Sequence, residues 1–148
     1  MIFVCGNFQL DLTSPKVMGI VNVTPDSFSD GGKFSQTNLA VAHALKLAEE
    51  GASILDIGGE STRPNATPVS LQEELDRVIP VIKTLVRQVN IPISIDTYKP
   101  AVMQAAIEAG ASMVNDVRAL QEGAGLKESA IEIVGNSNVG ICLMHMQG

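Results

Sequence analysis

Short apolar runs alternate with stretches of helical periodicity along most of this chain, and the alternation constrains the fold more than any other feature. Five runs predict buried strands, at residues 17–23, 53–57, 92–95, 113–115 and 139–144. A short segment of strand character precedes them. Strands that alternate with helices predict a parallel sheet joined by right-handed crossovers, which is an α/β fold.

The clearest helix is predicted over residues 71–89, where apolar side chains recur at helical spacing. Ser70 and Glu73 form a capping box in front of it. Pro80 lies inside this stretch and is expected to kink the helix, because proline removes one backbone hydrogen bond and crowds the preceding turn.

Three further helices are predicted, at residues 38–50, 100–109 and, more weakly, 125–134. Proline opens the second of these, and glycines at positions 51 and 110 stop the first two. Within residues 38–50, four apolar side chains are expected to share the buried face: Leu39, Ala42, Leu45 and Ala48.

A partial internal repeat supports this order of elements. Residues 51–56 read GASILD and residues 110–115 read GASMVN, so each copy contains a helix stop, a turn, a buried strand and a polar exit. Four βα units and a fifth strand make about half of a (β/α)8 barrel, whose usual length is about 250 residues. The alternative is a complete five-stranded doubly wound sheet of flavodoxin type, which length by itself favours.

Composition bounds the function. The chain has 148 residues and 45% hydrophobic composition, enough for one domain, residues 1–148, with a substantial core. A net charge of -6 argues against a nucleic-acid partner. Because no apolar run reaches about eighteen residues, a membrane span is not predicted. Cys5 and Cys142 lie far apart without metal-ligand spacing, so reduced thiols and a cytoplasmic location are expected.

Polar residues follow each predicted strand, at the edge where α/β folds bind ligands. The first four exits carry Asn22, Asp56, Asp96 and Asn115, and His145 follows the fifth. Amides and carboxylates together suit a heterocycle that presents several N–H donors and carbonyl acceptors along one edge. Aromatic residues make up only 3% of the chain, so hydrogen bonds are expected to dominate recognition.

Three polar side chains near these exits have plain structural alternatives. Asp56 either faces a ligand or braces the following loop through backbone N–H groups. His145 has no second histidine or cysteine at ligand spacing, so a hydrogen bond at the sheet edge is expected and a metal site is not. Lys99 precedes Pro100 and is expected to be a solvated helix start.

The stretch NVTPDSFSDGG, residues 22–32, follows the first strand and predicts a long loop. Six of its side chains hydrogen-bond locally, which competes with strand and helix. A connection of this length between a strand and a helix is more often functional than a short one.

Five segments together resemble the dihydropteroate synthase family: MGIVNVTPDSFSDGGKF at 18–34, DIGGESTRPNA at 56–66, ISIDTYKP at 93–100, MVNDVRAL at 113–120 and ICLMHMQG at 141–148. The resemblance implies a TIM barrel. It also implies a transferase of folate biosynthesis that joins p-aminobenzoate to 6-hydroxymethyl-7,8-dihydropterin diphosphate and releases pyrophosphate.

Residue roles follow from the resemblance alone. Asn22 would coordinate the Mg²⁺ that bridges the leaving diphosphate, beside Arg63. Asp96 would stabilise the pterin-methyl cation and, with Thr62 and Asn115, bind the pterin. The p-aminobenzoate pocket, which sulfonamides also occupy, would be shaped by Thr62, Arg63, Pro64 and Phe28, on two loops that close over the site.

The family pattern continues with further basic and acidic segments on strands six to eight, which the 148 residues do not contain. We therefore expect the N-terminal half of a barrel, partnered by a complementing C-terminal half or by another copy. Two alternatives remain: a non-catalytic pterin-binding or assembly module, and the pterin-binding domain of a folate-dependent methyltransferase. The motifs at 22–32 and 58–64 favour the synthase.

Overall fold

The computed structural model of the chain describes residues 2–5, 8–11, 13, 15–24, 33–60, 68–116 and 140–143. Its elements are, in chain order, β1 (Ile2–Cys5), β2 (Phe8–Asp11), β3 (Met18–Asn22), α1 (Lys33–Glu49), β4 (Ile54–Gly58), α2 (Leu71–Val86), β5 (Ile93–Asp96), α3 (Pro100–Ala109), β6 (Met113–Asp116) and β7 (Gly140–Leu143). All five predicted strands are present within one or two residues of their expected bounds. The helix predicted at 125–134 and residues 25–32 of the polar loop lie outside the described residues.

The main sheet has five strands in the order β3-β4-β5-β6-β7, and every neighbouring pair is parallel. Each strand therefore lies beside the next one in the chain. A flavodoxin-like sheet reverses its strand order after the first βα unit, whereas a barrel wall does not. The observed order confirms the half-barrel expectation and excludes the doubly wound alternative that length favoured.

One face of this sheet is covered by the three helices. Alternate strand residues, among them Val21, Leu55 and Ile57, form a single buried cluster with apolar side chains of α1, α2 and α3. Strand side chains alternate between faces, so the residues between them lie on the opposite face. The helices pack in chain order, α1 on α2 and α2 on α3.

Helix α1 buries a different face from the predicted one. Ala40, Val41 and Ala44 are buried, whereas Leu39 is 43% exposed and Ala42 is also exposed. Small side chains let α1 approach β3 closely, and Gly19 takes part because a Cβ atom there would lie 3.1 Å from Leu47. The predicted stripe was therefore wrong for two of its four residues.

Helix α2 starts as predicted, because Ser70 Oγ accepts a hydrogen bond of 3.2 Å from the Glu73 N–H. The helix runs through Pro80 without interruption and ends at Val86, three residues before the predicted end. Its first turn carries Glu73 and Glu74, which complement the positive end of the helix dipole.

Both copies of the internal repeat begin with a glycine in the left-handed conformation. Gly51 has φ 113° and Gly110 has φ 119°, and each follows the last turn of a helix. The Gly110 N–H donates to the Ala106 and Ile107 carbonyl oxygens, which closes the end of α3. The chain can then turn directly into the next strand.

An antiparallel hairpin of β1 and β2 lies on the other face of the sheet, toward the amino ends of the parallel strands. Its Phe8 and Leu10 pack, together with Met18, against Ile54 and Met113. The hairpin thus covers the apolar end of this face, and the polar strand exits lie beyond it. Within the described segments, none of the helices combines the length and apolarity that a bilayer crossing requires.

Candidate functional site

One row of the sheet brings three of the predicted ligand-binding residues side by side. Asn22 pairs in register with Gly58, Gly58 with Asp96, and Asp96 with Asn115. Adjacent strands lie about 4.8 Å apart, and side chains in one row of a parallel sheet point to the same side. The row lies at the carboxyl ends of the strands, on the face opposite the helices.

Gly58 leaves a gap in this row between Asn22 and Asp96. A Cβ atom at Gly58 would already lie 3.4 Å from Asp96 Oδ2. The Asp96 side chain therefore has room to lie over the β4 backbone, and any larger residue at position 58 would compete for that room. Asn22 is exposed at one end of the row, and Asn115, only 4% exposed, lies buried at the other.

Asn115, at the buried end of this row, also forms a polar pair with the buried Asp56. The Asn115 Nδ2 group donates a hydrogen bond of 3.0 Å to Asp56 Oδ2, and Asp56 is 1% exposed. These two residues are the polar exits of the two repeat copies, so the repeat brings its own ends into contact. Asp56 was predicted either to face a ligand or to brace the next loop, and the observed bond to Asn115 fits neither expectation alone.

Three buried side-chain oxygens around this pair have no hydrogen-bond partner among the described residues: Asp56 Oδ1, Ser94 Oγ and Asn115 Oδ1. Ser94 lies next to Asp56 in the sheet register, although its hydroxyl does not reach hydrogen-bond geometry. Buried polar atoms are seldom left unpaired, since each costs about 1–3 kcal/mol of desolvation. The cluster therefore has unused capacity to accept hydrogen bonds.

Burial also changes the acidity of Asp56. Removal from water raises its pKa from 3.8 to about 6, although the neighbouring Ser94 hydroxyl and the Asn115 amide act in the opposite direction. At neutral pH the side chain is still ionised, so it accepts hydrogen bonds but does not donate them.

A second buried network lies behind the first, on the helix side of the strand exits. Lys99 Nζ donates to Glu74 Oε1 at 2.5 Å and to Glu60 Oε2 at 2.7 Å. Thr97 Oγ1 donates to the other Glu74 oxygen at 2.6 Å. Glu74 is only 1% exposed, so its charge is compensated almost entirely by these two partners.

The same network connects both ends of the connection that follows β4. Glu60 Oε2, at the start of this connection, accepts a hydrogen bond of 3.2 Å from the Val69 N–H at its end. Arg77 donates to the Gly59 carbonyl oxygen at 2.8 Å. Burial opposes the charges of Glu60 and Lys99, but their mutual contacts outweigh it and lower the pKa of Glu60 while raising that of Lys99.

Lys99 was predicted to be a solvated helix start, and that prediction was wrong. Its side chain is 17% exposed, and its ammonium group lies 4.7 Å from the centre of the Tyr98 ring. Glu74 was not singled out from the sequence at all. A signal existed: Glu74 lies four residues before Val78 on the buried stripe of α2, where a carboxylate needs a partner.

The other predicted site residues either lie in the row or fall outside the described residues. Asn22, Asp96 and Asn115 share the row described above. His43 is exposed on α1. The remaining predicted residues lie outside the described residues: Phe28, Thr62, Arg63, Pro64 and His145.

The donor set at the row is compatible with one kind of metal ion. In the part of the chain that the structure describes, no cluster of three histidine, cysteine, aspartate or glutamate side chains is suitable for a metal. A dedicated protein cage is therefore not built from these residues. Mg²⁺, however, commonly takes one or two protein oxygens and completes its shell with water and phosphate oxygens. The exposed Asn22 amide oxygen fits that role.

Comparison with known proteins identifies the family. Residues 18–148 match the family described as pterin binding enzyme. Dihydropteroate synthase of Escherichia coli K12 is 49% identical over 140 residues, which cover 95% of this chain and 48% of that protein. The chain thus spans about half the length of the curated relatives it matches.

Solved structures agree with the sequence comparison. A dihydropteroate synthase of Xanthomonas albilineans with 4-aminobenzoic acid has a TM-score of 0.90 and 56% identity, covering 99% of this chain and 52% of that one. The same enzyme in complex with 7,8-dihydropteroate has a TM-score of 0.86 and 52% identity, with the same coverage. The strand order, the row of polar exits and the matched residues all point to one family.

Proposed function

Because the chain belongs to the family of pterin binding enzymes, we propose that it forms the N-terminal half of a dihydropteroate synthase. Residues 1–148 would then be a pterin-binding domain that contributes about four βα units and a fifth strand to a TIM barrel. The proposed reaction joins 6-hydroxymethyl-7,8-dihydropterin diphosphate to p-aminobenzoate. It belongs to folate biosynthesis.

The shared row of Asn22, Asp96 and Asn115 is the observation that carries this proposal. An exposed amide, a carboxylate and a buried amide lie in one line across four strands. Their span, three strand spacings of about 4.8 Å, suits a two-ring heterocycle with a substituent that reaches toward Asn22. The related structures were solved with 4-aminobenzoic acid and with 7,8-dihydropteroate, which are a substrate and the product of this reaction.

The proposed reaction breaks the bond between the pterin methylene carbon and the diphosphate oxygen, whose electron pair leaves with the diphosphate. The p-aminobenzoate amine then forms the new carbon–nitrogen bond, and its proton passes to the released diphosphate or to water. Asp96 would stabilise the positive charge that develops on the pterin methylene group. Arg63 would bind the departing diphosphate.

Mg²⁺ would be held by Asn22 and by diphosphate oxygens, and when bound it would neutralise part of the leaving-group charge. Asn22 contributes a neutral oxygen, so the protein adds no negative charge of its own at this position. That matters in a chain with a net charge of -6, which otherwise repels an anionic substrate.

The other proposed contacts follow the family pattern. Thr62, Asp96 and Asn115 would bind the pterin, and Thr62, Arg63, Pro64 and Phe28 would shape the p-aminobenzoate pocket, where sulfonamides would compete. Glu60 and Val69 supply a fixed base for the segment that contains Thr62 to Pro64, because one hydrogen bond joins them.

We further propose a dissociative order of events, in which the amine attacks after most of the carbon–oxygen bond has broken. A carboxylate held beside the reacting carbon, as Asp96 would be, stabilises the positive charge that this order of events develops. A large normal secondary deuterium effect at the methylene carbon and a ¹⁵N effect near unity at the amine are expected. A large ¹⁵N effect would show early participation of the amine and contradict the proposal.

The decisive experiment measures binding and turnover separately. The purified chain is titrated with 6-hydroxymethyl-7,8-dihydropterin diphosphate, and dihydropteroate formation is assayed with and without the C-terminal half of the Escherichia coli relative. We expect Asp96→Asn to reduce turnover at least about 100-fold. Glu108→Gln, which removes one exposed carboxylate of α3, is the matched control and should leave turnover unchanged.

One observation favours a second candidate function, in which the chain binds a pterin but does not catalyse the reaction. Within residues 68–116, the basic groups nearest the row are already engaged: Lys99 with Glu60 and Glu74, and Arg77 with the Gly59 carbonyl. Lys99 and Arg77 are therefore both committed to protein partners and are not available to the diphosphate. Pterin binding by the chain with turnover absent in every mixture would establish a binding module and refute the synthase.

The remaining parts of the proposal concern partners and location. Small-molecule substrates are the expected ligands, and a complementing C-terminal half or a second copy is the expected protein partner. A cytoplasmic location is consistent with two cysteines, Cys5 and Cys142, that are far apart in sequence and not at metal-ligand spacing. Cross-linking followed by mass measurement tests the oligomer.

A further inference from the structure

The bond between Asp56 and Asn115 determines which end of the Asn115 amide remains for a ligand. Asn115 Nδ2 points to Asp56 Oδ2 at 3.0 Å, so the carbonyl oxygen Oδ1 is at the other end. That oxygen is buried and has no partner among the described residues. An asparagine amide has a donor end and an acceptor end of nearly equal shape, and only its hydrogen bonds distinguish them.

Asp56 is suited to impose this choice. An ionised carboxylate accepts hydrogen bonds and cannot donate one. If the Asn115 amide turned over, its carbonyl oxygen would face a carboxylate oxygen, with both buried, and two acceptors in contact repel. Ser94 lies beside Asp56 in register but forms no hydrogen bond to Asn115, so it does not share this role.

We propose that Asp56 is a positioning residue, which holds the Asn115 carbonyl oxygen toward the ligand so that the site selects a ring N–H donor over a ring acceptor. The proposal rests on the proposed pterin site and adds the origin of its donor selectivity. Asp56 itself would not touch the ligand through Oδ2, since that oxygen is occupied by Asn115.

The test compares three ligands that differ in hydrogen-bond polarity. Pterin is the reference. The analogue 2,4-diaminopteridine replaces the N3–H donor by an acceptor and the 4-oxo acceptor by an amino donor. Lumazine replaces the 2-amino donor by a carbonyl oxygen and the N1 acceptor by an N–H donor. The wild-type chain should bind at least one analogue about tenfold more weakly than pterin or worse, because the exchange leaves a buried acceptor unpaired.

Two variants separate positioning from general structure. Asp56→Ala removes the acceptor that orients Asn115, so the preference for pterin over the penalised analogue should fall toward unity. Ser94→Ala removes the buried hydroxyl that lies beside Asp56 in the sheet register, and this variant should retain the preference. If Asp56→Ala does not fold, Asp56→Asn replaces it. An asparagine at position 56 can accept from Asn115 or donate to it, so this variant too should show a reduced preference.

Each outcome is decisive. Loss of the preference in the Asp56 variant, with Ser94→Ala unchanged, supports the proposal. An equal weakening of all three ligands would indicate a purely structural residue and overturn it, as would a wild-type chain that binds pterin and both analogues equally. A wild-type chain that binds no pteridine would overturn the proposed function as well. NMR spectra of the side-chain amides give an independent readout. The hydrogen bond to Asp56 should shift the Asn115 amide protons in the wild type, and this shift should change in Asp56→Asn.

Discussion

Asp56 combines a buried carboxylate with a hydrogen bond from Asn115. Its carboxylate is buried on a sheet face and keeps a charge at neutral pH, which burial opposes. A structural residue at this position would be expected to be apolar, like Ile54 two residues earlier on the same face of β4. The free-energy cost of the buried charge is therefore the physical sign that Asp56 serves more than packing.

The pH dependence of unfolding should reveal this cost. The pKa of Asp56 is about 6 in the folded chain, above 3.8, so protonation favours the folded state. This stabilisation is fully present below about pH 3.8 and is lost as pH rises through about 6. Relative to Asp56→Asn, the wild type should lose about 3 kcal/mol of unfolding free energy between pH 3.5 and pH 7. Urea unfolding at stepped pH measures it, and parallel pH profiles would contradict it.

Two glycines with the same backbone conformation provide a controlled comparison. Gly51 and Gly110 both have positive φ, but a Cβ atom at Gly51 would meet nothing within 4 Å, whereas one at Gly110 would lie 2.6 Å from Val86 Cγ2. Gly51→Ala should cost about 1 kcal/mol from backbone strain. Gly110→Ala should cost about 1–3 kcal/mol more, because α2 must shift. Thermal unfolding measures both, and equal losses would show that Val86 yields freely.

Position along the strands indicated from the sequence which polar residues lie at the same edge of the sheet; their roles stay a prediction. Asn22, Asp96 and Asn115 were predicted as strand exits and fall in one row, because parallel strands in register align equivalent positions. The contact between Asp56 and Asn115 was not predicted, although the repeat marked both residues. Periodicity gives the face of a strand residue but not the register across β4, β5 and β6 that brings Asp56 and Asn115 together.

At the level of helices and loops, the network around Glu74 shows how neighbouring connections are held together. Glu74 comes from α2, Lys99 and Thr97 from the connection between β5 and α3, and Glu60 from the connection after β4. Three separate stretches of chain thus meet at one buried carboxylate. Loss of the contacts of Glu74 should therefore destabilise all three stretches.

Lys99→Met should therefore be strongly destabilising. It leaves the buried Glu74 with the Thr97 hydroxyl as its one remaining side-chain partner in the described part of the chain, and breaking a buried ion pair on one side costs about 3 kcal/mol or more. Lys46→Met is the matched control, since Lys46 and Glu50 form an exposed pair with side chains 69% and 58% accessible. That change should stay within about 0.5 kcal/mol. Chemical denaturation of both variants measures the difference.

A double variant checks the cause. Adding Glu74→Gln to Lys99→Met removes the unpaired charge and should recover a substantial part of the lost stability. A double variant no more stable than Lys99→Met would show that the loss comes from packing of the lysine side chain.

Element type was predictable from the sequence, and element faces were less so. Helices α2 and α3 and the strands lie within a few residues of their predicted positions, since caps and glycine stops mark them. In α1, however, apolar residues occupy more than one stripe. Small side chains, Ala40, Val41 and Ala44, lie against the sheet and leave Leu39 outside, because close approach to Gly19 favours small residues over large ones.

At the scale of the whole chain, the strand order distinguishes a half-barrel from a doubly wound sheet, which chain length does not. A five-stranded sheet of either type fits 148 residues, and the two differ only in which strand lies beside which. Strand adjacency depends on long-range pairing, which local periodicity does not encode. The resemblance predicted the barrel order, and the register confirms it.

One buried cluster joins the sheet to all three helices, so unfolding should be cooperative. Ile82, fully buried on α2, is a suitable probe because α2 packs against both other helices. Ile82→Ala should lower stability by about 2–5 kcal/mol. Native-state hydrogen exchange should show the same loss for the slowest amides of α1, α2 and α3. A loss confined to α2 would indicate separate folding units.

The strict two-faced alternation of β4 has a consequence for which genetic changes this chain can survive. Leu55 and Ile57 face the helices, whereas Asp56 and Gly58 face the polar side. An in-frame insertion or deletion of a single codon within this strand would exchange the two sets, pressing a carboxylate among aliphatic groups. Selection should therefore remove such insertions and deletions from β4. The exposed turn after α2 should tolerate them.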